Sequence, residues 1–134
     1  MKRKAADVKT GETFEATSGV GRYQPIYYAG ASGDFNPIHI DAEFGKMVGL
    51  GSAILQGLCT MAFTARAHAD WAGDPTALRR LKVRFAKPVY PEDDIKTSVT
   101  IASVDGKSVT TQFVSKNQNG VEVITRALAE IELD

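Results

Sequence analysis

Ala53-Ile54-Leu55-Gln56-Gly57-Leu58-Cys59-Thr60-Met61-Ala62-Phe63-Thr64-Ala65-Arg66-Ala67-His68-Ala69 is the stretch on which the fold turns. Ile54, Leu58, Met61, Ala62 and Ala65 recur at the spacing of one helical face, and Leu55, Cys59 and Phe63 widen it. A helix with so few polar positions is expected to be buried most of the way round. No breaker follows until Gly73, and Trp71 is expected to pack where the chain leaves the helix.

Beyond this helix the period changes to two. Leu81, Val83 and Phe85 alternate with Lys82 and Arg84 as far as Pro88 and Pro91. Ile95, Thr97, Val99 and Ile101 follow, ending at Asp105-Gly106. Val109, Thr111, Phe113 and Ser115 end at Asn119-Gly120, and Val121, Val123, Thr125, Ala127, Ala129 and Ile131 close the chain. Asp-Gly and Asn-Gly between alternating runs are hairpin signals. On the other side of the helix, residues 12 to 18 read as a first strand and residues 23 to 31 as a short helix stopping near Gly33. Residues 41 to 48 read as further helical turns capped by Asp41. An antiparallel sheet must cover its apolar face, and curling around the helix at 53 to 69 does so. The expectation is an α+β fold, a single domain over residues 1 to 134 in the hot-dog arrangement, with the sheet wrapped around a long central helix.

The bulk numbers narrow the function. Lys plus Arg and Asp plus Glu each total 16, so no global basic field draws the chain to nucleic acid or anionic lipid. One cysteine, Cys59, forms no internal disulfide and points to a reducing compartment. The basic start Met1-Lys2-Arg3-Lys4 leads into no apolar signal core, and no run approaches the roughly 18 apolar residues of a membrane helix. A cytoplasmic location is expected. Two histidines and one cysteine argue against a His/Cys zinc site.

Chemistry concentrates in Ser32-Gly33-Asp34-Phe35-Asn36-Pro37-Ile38-His39-Ile40-Asp41. Asp34 and His39 flank Asn36-Pro37, a pair that favours a turn. A carboxylate and an imidazole on one bent segment can grip a single water between them, the minimum equipment for general acid–base chemistry. A loop whose polar side chains only satisfy backbone groups is the structural alternative.

The run from Tyr28 to His39, Tyr-Ala-Gly-Ala-Ser-Gly-Asp-Phe-Asn-Pro-Ile-His, resembles the hydratase motif of the MaoC-like, (R)-specific enoyl-thioester hydratases. Arg84-Phe85-Ala86-Lys87-Pro88-Val89 resembles that family's strand after the central helix. Within the family, the chain looks most like the catalytic-type subunit of mycobacterial (3R)-hydroxyacyl-carrier-protein dehydratases. The resemblance implies hydration of 2-enoyl thioesters, or dehydration of (3R)-hydroxyacyl thioesters. Asp34 and His39 would hold the water, and Asn36 would fix the loop. The Gly57 backbone N–H would be the oxyanion donor, where a helix start leaves amides unpaired. No cofactor is implied beyond coenzyme A or phosphopantetheine as the substrate's carrier. The implied partners are acyl-CoA or acyl carrier protein, with no nucleic acid and no membrane span. A homodimer, or a heterodimer with a related subunit, is expected because a curled sheet leaves edges to cover.

The chain departs from the family pattern at Gln56, where histidine is common, at Gly45, where alanine or serine is common, and at Ala65, where some members have serine. Gln56 is a candidate substrate contact that cannot act as an acid or base. Thr64 neighbours Ala65 but is expected on another face. Lys82 and Arg84, within the basic strip of Arg79, Arg80, Lys82, Arg84 and Lys87, read as a solvated face or as a landing place for carrier phosphates. A hot-dog thioesterase and a non-catalytic acyl-thioester-binding subunit are the alternative functions. Gly49-Leu50-Gly51-Ser52-Ala53-Ile54 lacks the third glycine of a dinucleotide loop. Cys59 reads as an inert core thiol, and His68 as a residue favouring the helix dipole or facing solvent.

Overall fold

The computed structural model describes residues 1–134. After a 3₁₀ turn at Ala5–Asp7 come β1 (Thr13–Gly19), α1 (Gln24–Ser32), α2 (Pro37–Ile40), α3 (Ala42–Met47) and α4 (Gly57–Ala72). Then β2 (Leu78–Phe85), β3 (Asp94–Asp105), β4 (Ser108–Lys116) and β5 (Glu122–Glu132) complete one antiparallel sheet in the order β1-β3-β4-β5-β2. This is the α+β architecture that the two periodicities predict.

The alternation does the sorting. Ile95, Thr97, Val99 and Ile101 of β3 are buried, as are Val109, Thr111, Phe113 and Ser115 of β4, while Lys96, Thr100, Gln112 and Lys116 face out. The Gly106-Lys107 turn, with Gly106 at φ 59, closes the β3–β4 hairpin. Between β4 and β5, Asn117 Oδ1 accepts from the N–H groups of Asn119 and Val121, which leaves Val121 outside the strand. Arg126 sits at φ 48 where the β5 register slips against both neighbours. A second slip against β4, between Ile124 and Glu122, leaves two adjacent residues, Val123 and Ile124, both buried.

The central helix differs from expectation at its start and in its orientation. It begins at Gly57, not Ala53, because the residues before it are held extended. The Ile54 N–H donates to the Ile38 carbonyl and the Leu55 N–H to the Val89 carbonyl. It ends at Ala72, with Gly73 in the left-handed region at φ 69. The N-terminal segment straps this end, with the Arg3 guanidinium over the Trp71 ring and the Lys2 ammonium 2.8 Å from Asp74. That contact holds the Asp74 carboxyl far below the usual carboxylate range.

Nor is the helix buried all round. Leu58 and Ala62 are exposed, and the buried stripe is Cys59, Thr60, Thr64, Ala67 and His68. His68 therefore neither faces solvent nor serves the helix end. Its Nδ1–H donates to the Thr64 carbonyl at 2.7 Å, and its Nε2 accepts from the Thr111 hydroxyl at 2.8 Å. Phe14 and Phe113 pack edge-on against the ring. Burial pushes its pKa down. The periodicity is correct in kind, but its phase is set by polar partners on the sheet that a hydrophobic pattern does not register. No helix is long and apolar enough to cross a membrane.

Candidate active site

The segment carrying Asp34 and His39 is built by side chains that each cap a backbone two residues on. Ser32 Oγ accepts from the Asp34 N–H at 3.1 Å, Asp34 Oδ1 from the Asn36 N–H at 3.3 Å, and Asn36 Oδ1 from the Ile38 N–H at 3.2 Å. Gly33, at φ 78, ends α1, and Pro37 opens α2 with its φ preset and no N–H to satisfy. The turn expected at Asn36-Pro37 is thus a one-turn helix with Asn36 as its cap. Asp41 then caps α3, as expected, by accepting from the Glu43 and Phe44 N–H groups.

This path turns His39 inward. Its Nδ1 lies 2.8 Å from the Ile54 carbonyl, and a carbonyl only accepts, so Nδ1 carries the hydrogen. In the neutral ring Nε2 is then the lone-pair nitrogen. Nε2 stands 3.7 Å from Asp34 Oδ2, too far for a direct hydrogen bond and suited to one bridging water. The His39 side chain is 10% exposed and that of Asp34 47%, so the pair joins the interior to solvent.

Gly57 is the first residue of α4, and its N–H has no partner within the protein. Had the helix begun at Ala53, this amide would have been tied up in the first turn. The extended 52–56 segment that delays the helix is therefore what frees it. A Cβ at Gly57 would meet the Phe85 ring at 3.2 Å. His39 and Gly57 line one cavity of about 260 Å³, together with Thr60, Phe85, Lys87 and Val123. A second cavity of about 570 Å³ also borders His39, along with Arg22, Tyr23, Ser52 and Tyr90.

Of the candidate residues only His39 and Gly57 line these cavities; Asp34 and Asn36, both exposed, line neither, and the remaining candidates fall elsewhere. Gln56 is 1% exposed and lines neither cavity; its Nε2 donates to the Pro25 carbonyl at 2.9 Å, and its Oε1 has no partner. Lys82 and Arg84 are exposed on the outer side of β2 and also line neither cavity. Their neighbour Lys87, past the end of the strand, does line the first. Of the basic strip, strand alternation sends Lys82 and Arg84 outward, while Lys87, exposed at a bend beyond the end of β2, borders the first cavity. Thr60 and the Ile54 carbonyl carried no sequence signal as site groups. Ala65 is half-buried while Thr64 is fully buried, so the two do occupy different faces. Cys59 is buried and its thiol pKa pushed up by that burial. Nowhere do three or more His, Cys, Asp or Glu side chains converge.

The family profile described as MaoC like domain matches residues 4–124. The chain belongs to the MaoC-like domain family. The probable enoyl-CoA hydratase 2 of Dictyostelium discoideum is 38% identical over 112 residues, 81% of this chain and 37% of that protein. The peroxisomal enoyl-CoA hydratase 2 of Arabidopsis thaliana is 39% identical over 90 residues, 66% of this chain and 28% of that protein. This MaoC-like chain thus spans well under half the length of either relative. Among solved structures, unliganded R-hydratase PhaJ1 from Pseudomonas aeruginosa superimposes with a TM-score of 0.88 at 26% identity, covering 97% of this chain and 84% of that one.

Proposed function

We propose that this MaoC-like domain adds water to 2-enoyl thioesters with (R) specificity, and in reverse dehydrates (3R)-hydroxyacyl thioesters. The observation that carries the reading is the His39 Nε2 lone pair facing Asp34 Oδ2 beside a cavity shared with the unpartnered Gly57 N–H. A water between Asp34 and His39 donates a hydrogen to each and keeps a lone pair for C3 of the substrate. As the C3–O bond forms, electrons move through C2 onto the thioester oxygen, which the Gly57 N–H and the helix start receive. The proton taken from the water returns to C2, so H and OH are both supplied by one molecule. Asn36 maintains the spacing between acid and imidazole through its cap. The reading needs no group beyond the carrier attached to the acyl chain, coenzyme A or a carrier protein's phosphopantetheine.

Pairing with a second hot-dog domain, identical or related, belongs to the same reading. β2 is an edge strand, and Tyr27, Phe35, Leu58 and Phe85 are exposed. Unpaired strand edges and apolar patches of this kind favour a partner. Buried, unpaired Cys59 is in keeping with a reducing compartment such as the cytoplasm.

Loss of conjugated-enoyl absorbance from crotonyl-coenzyme A tests the reaction. The wild type consumes the absorbance without releasing free thiol, while Asp34→Asn and His39→Gln each lose about 10²–10⁴-fold in kcat. Thiol release would assign a thioesterase instead, and undiminished turnover by Asp34→Asn would remove the pair from the mechanism.

A further inference from the structure

We infer that Gln56 is a positioning residue: its side chain ties α1, which leads to Asp34, to the start of α4, and so sets the acid relative to the Gly57 amide. This deepens the enoyl-thioester reading above and rests on it. The three groups of that reading stand on three separate elements. Asp34 follows the end of α1, His39 lies within α2, and Gly57 opens α4. Backbone groups join α2 to the approach to α4. The Ile54 N–H donates to the Ile38 carbonyl at 2.9 Å, and the Ile54 carbonyl accepts from His39 Nδ1–H at 2.8 Å. Leu55 then donates its N–H to the Val89 carbonyl at 2.7 Å. Imidazole and amide are thus held to one another without any help from α1.

α1 has no such tie of its own backbone N–H groups. Its other hydrogen bonds stay within residues 21–34. The one that leaves this neighbourhood runs from Gln56 Nε2 to the Pro25 carbonyl, 2.9 Å across 31 positions of sequence. Both ends are buried, Gln56 at 1% exposure and Pro25 on the inward face of α1. Apolar contact holds a helix against a core without fixing its direction, whereas a hydrogen bond fixes distance and angle. The bond also differs from ordinary capping. Gln56 is the N-cap residue of α4, yet its side chain makes no capping bond, whereas those of Asn36 and Asp41 turn back onto α2 and α3. Directed to Pro25 instead, it leaves the N–H groups of Gly57 and Leu58 without a partner in the protein, at the helix end that favours negative charge. Gln56 Oε1, meanwhile, is buried with no partner. A stranded acceptor offsets the stability that the Pro25 bond contributes, so stability alone gives little reason for an amide here.

The test compares Gln56→Met and Gln56→His with the wild type. Methionine matches glutamine in length and removes the donor and the stranded acceptor together, while histidine keeps an N–H at similar reach. In Gln56→Met, amide hydrogen exchange over residues 24–33 speeds up about tenfold, while residues 61–72 exchange as in the wild type. Its Tm stays within about 4 °C of the wild type. Its kcat on crotonyl-coenzyme A falls about tenfold to a hundredfold with KM held within about twofold, because the acid is displaced by up to about 1 Å. Gln56→His keeps kcat within about fivefold of the wild type. Unchanged exchange over α1, or unchanged kcat in a folded Gln56→Met, overturns the inference. A fall in Tm without a fall in kcat, or loss of folding in both variants, makes Gln56 a structural residue only and overturns it equally. Faster α1 exchange in Gln56→Met, in a protein whose wild type hydrates no enoyl thioester, would sink the hydratase reading and leave the tether standing.

Discussion

Gly45→Ala sets helix propensity against tertiary packing, and the two disagree in sign. Gly45 lies inside α3, where alanine is favoured over glycine by about 1 kcal/mol. The family's usual alanine or serine at this position points the same way. Yet a Cβ on Gly45 would lie 2.0 Å from the Ser52 carbonyl oxygen and 2.5 Å from its carbon. Backbone, not the end of a flexible side chain, blocks the space, so the obstacle must move by more than an ångström. Forced insertion of this kind costs about 1–3 kcal/mol, and a rigid neighbour places it at the upper end. The net expectation is a loss of about 2 kcal/mol, lowering Tm by about 8 °C. The displaced residue is two before Ile54, whose carbonyl fixes His39, and five before Gly57. A shift of about 1 Å carried to the reacting groups costs about 10²-fold in rate. Differential scanning calorimetry and crotonyl-coenzyme A hydration read the two effects. A variant that melts at or above the wild-type temperature with unchanged kcat would refute the reasoning.

Three further outcomes follow from named groups. Burial holds His68 below its ordinary value of 6.5, so as pH falls through that value the unfolded chain takes up a proton that the native state does not. The stability it contributes is complete above about pH 6.5 and lost below it, down to the native pKa. Urea midpoints should drop between pH 7.5 and 5.5, and drop less in His68→Leu; equal drops would refute the assignment. Lys87→Ala should raise KM for a coenzyme A thioester by about two- to fivefold, less at high salt, with kcat unchanged, whereas Lys82→Ala and Arg84→Ala leave KM as it is. The Cys59 thiol, buried and with its pKa raised, should react with an aromatic disulfide only as fast as the protein unfolds; rapid labelling of the native protein would contradict that.

The sheet and the dyad were legible for the same reason: both are written in local spacing. Period-two alternation placed β3 and β4 correctly, and the Asp-x-Asn-Pro-x-His run contains within itself the caps that bend it. Long-range partners were not legible. Nothing between Ala53 and Gln56 forbids helix; carbonyls of Ile38 and Val89, distant in sequence, hold that segment extended. His68 read as a helix-end residue because its partner Thr111 stands 43 positions away. Lys82 and Lys87 looked alike as charges, and only the end of β2 sends one outward and the other toward the cavity.

The sequence by itself determined the helix-and-sheet order, the face taken by the residues of β3 and β4, and the bend that sets Asp34 beside His39, because backbone periodicity and side-chain capping act over a few residues. Tertiary structure alone decided where α4 starts, hence that the Gly57 amide is free, which His39 nitrogen holds the lone pair, and which residues line the cavity with them. Each of these is settled by a hydrogen bond or a packed neighbour contributed from another part of the chain, and no local pattern encodes which of several competing partners such a group will meet.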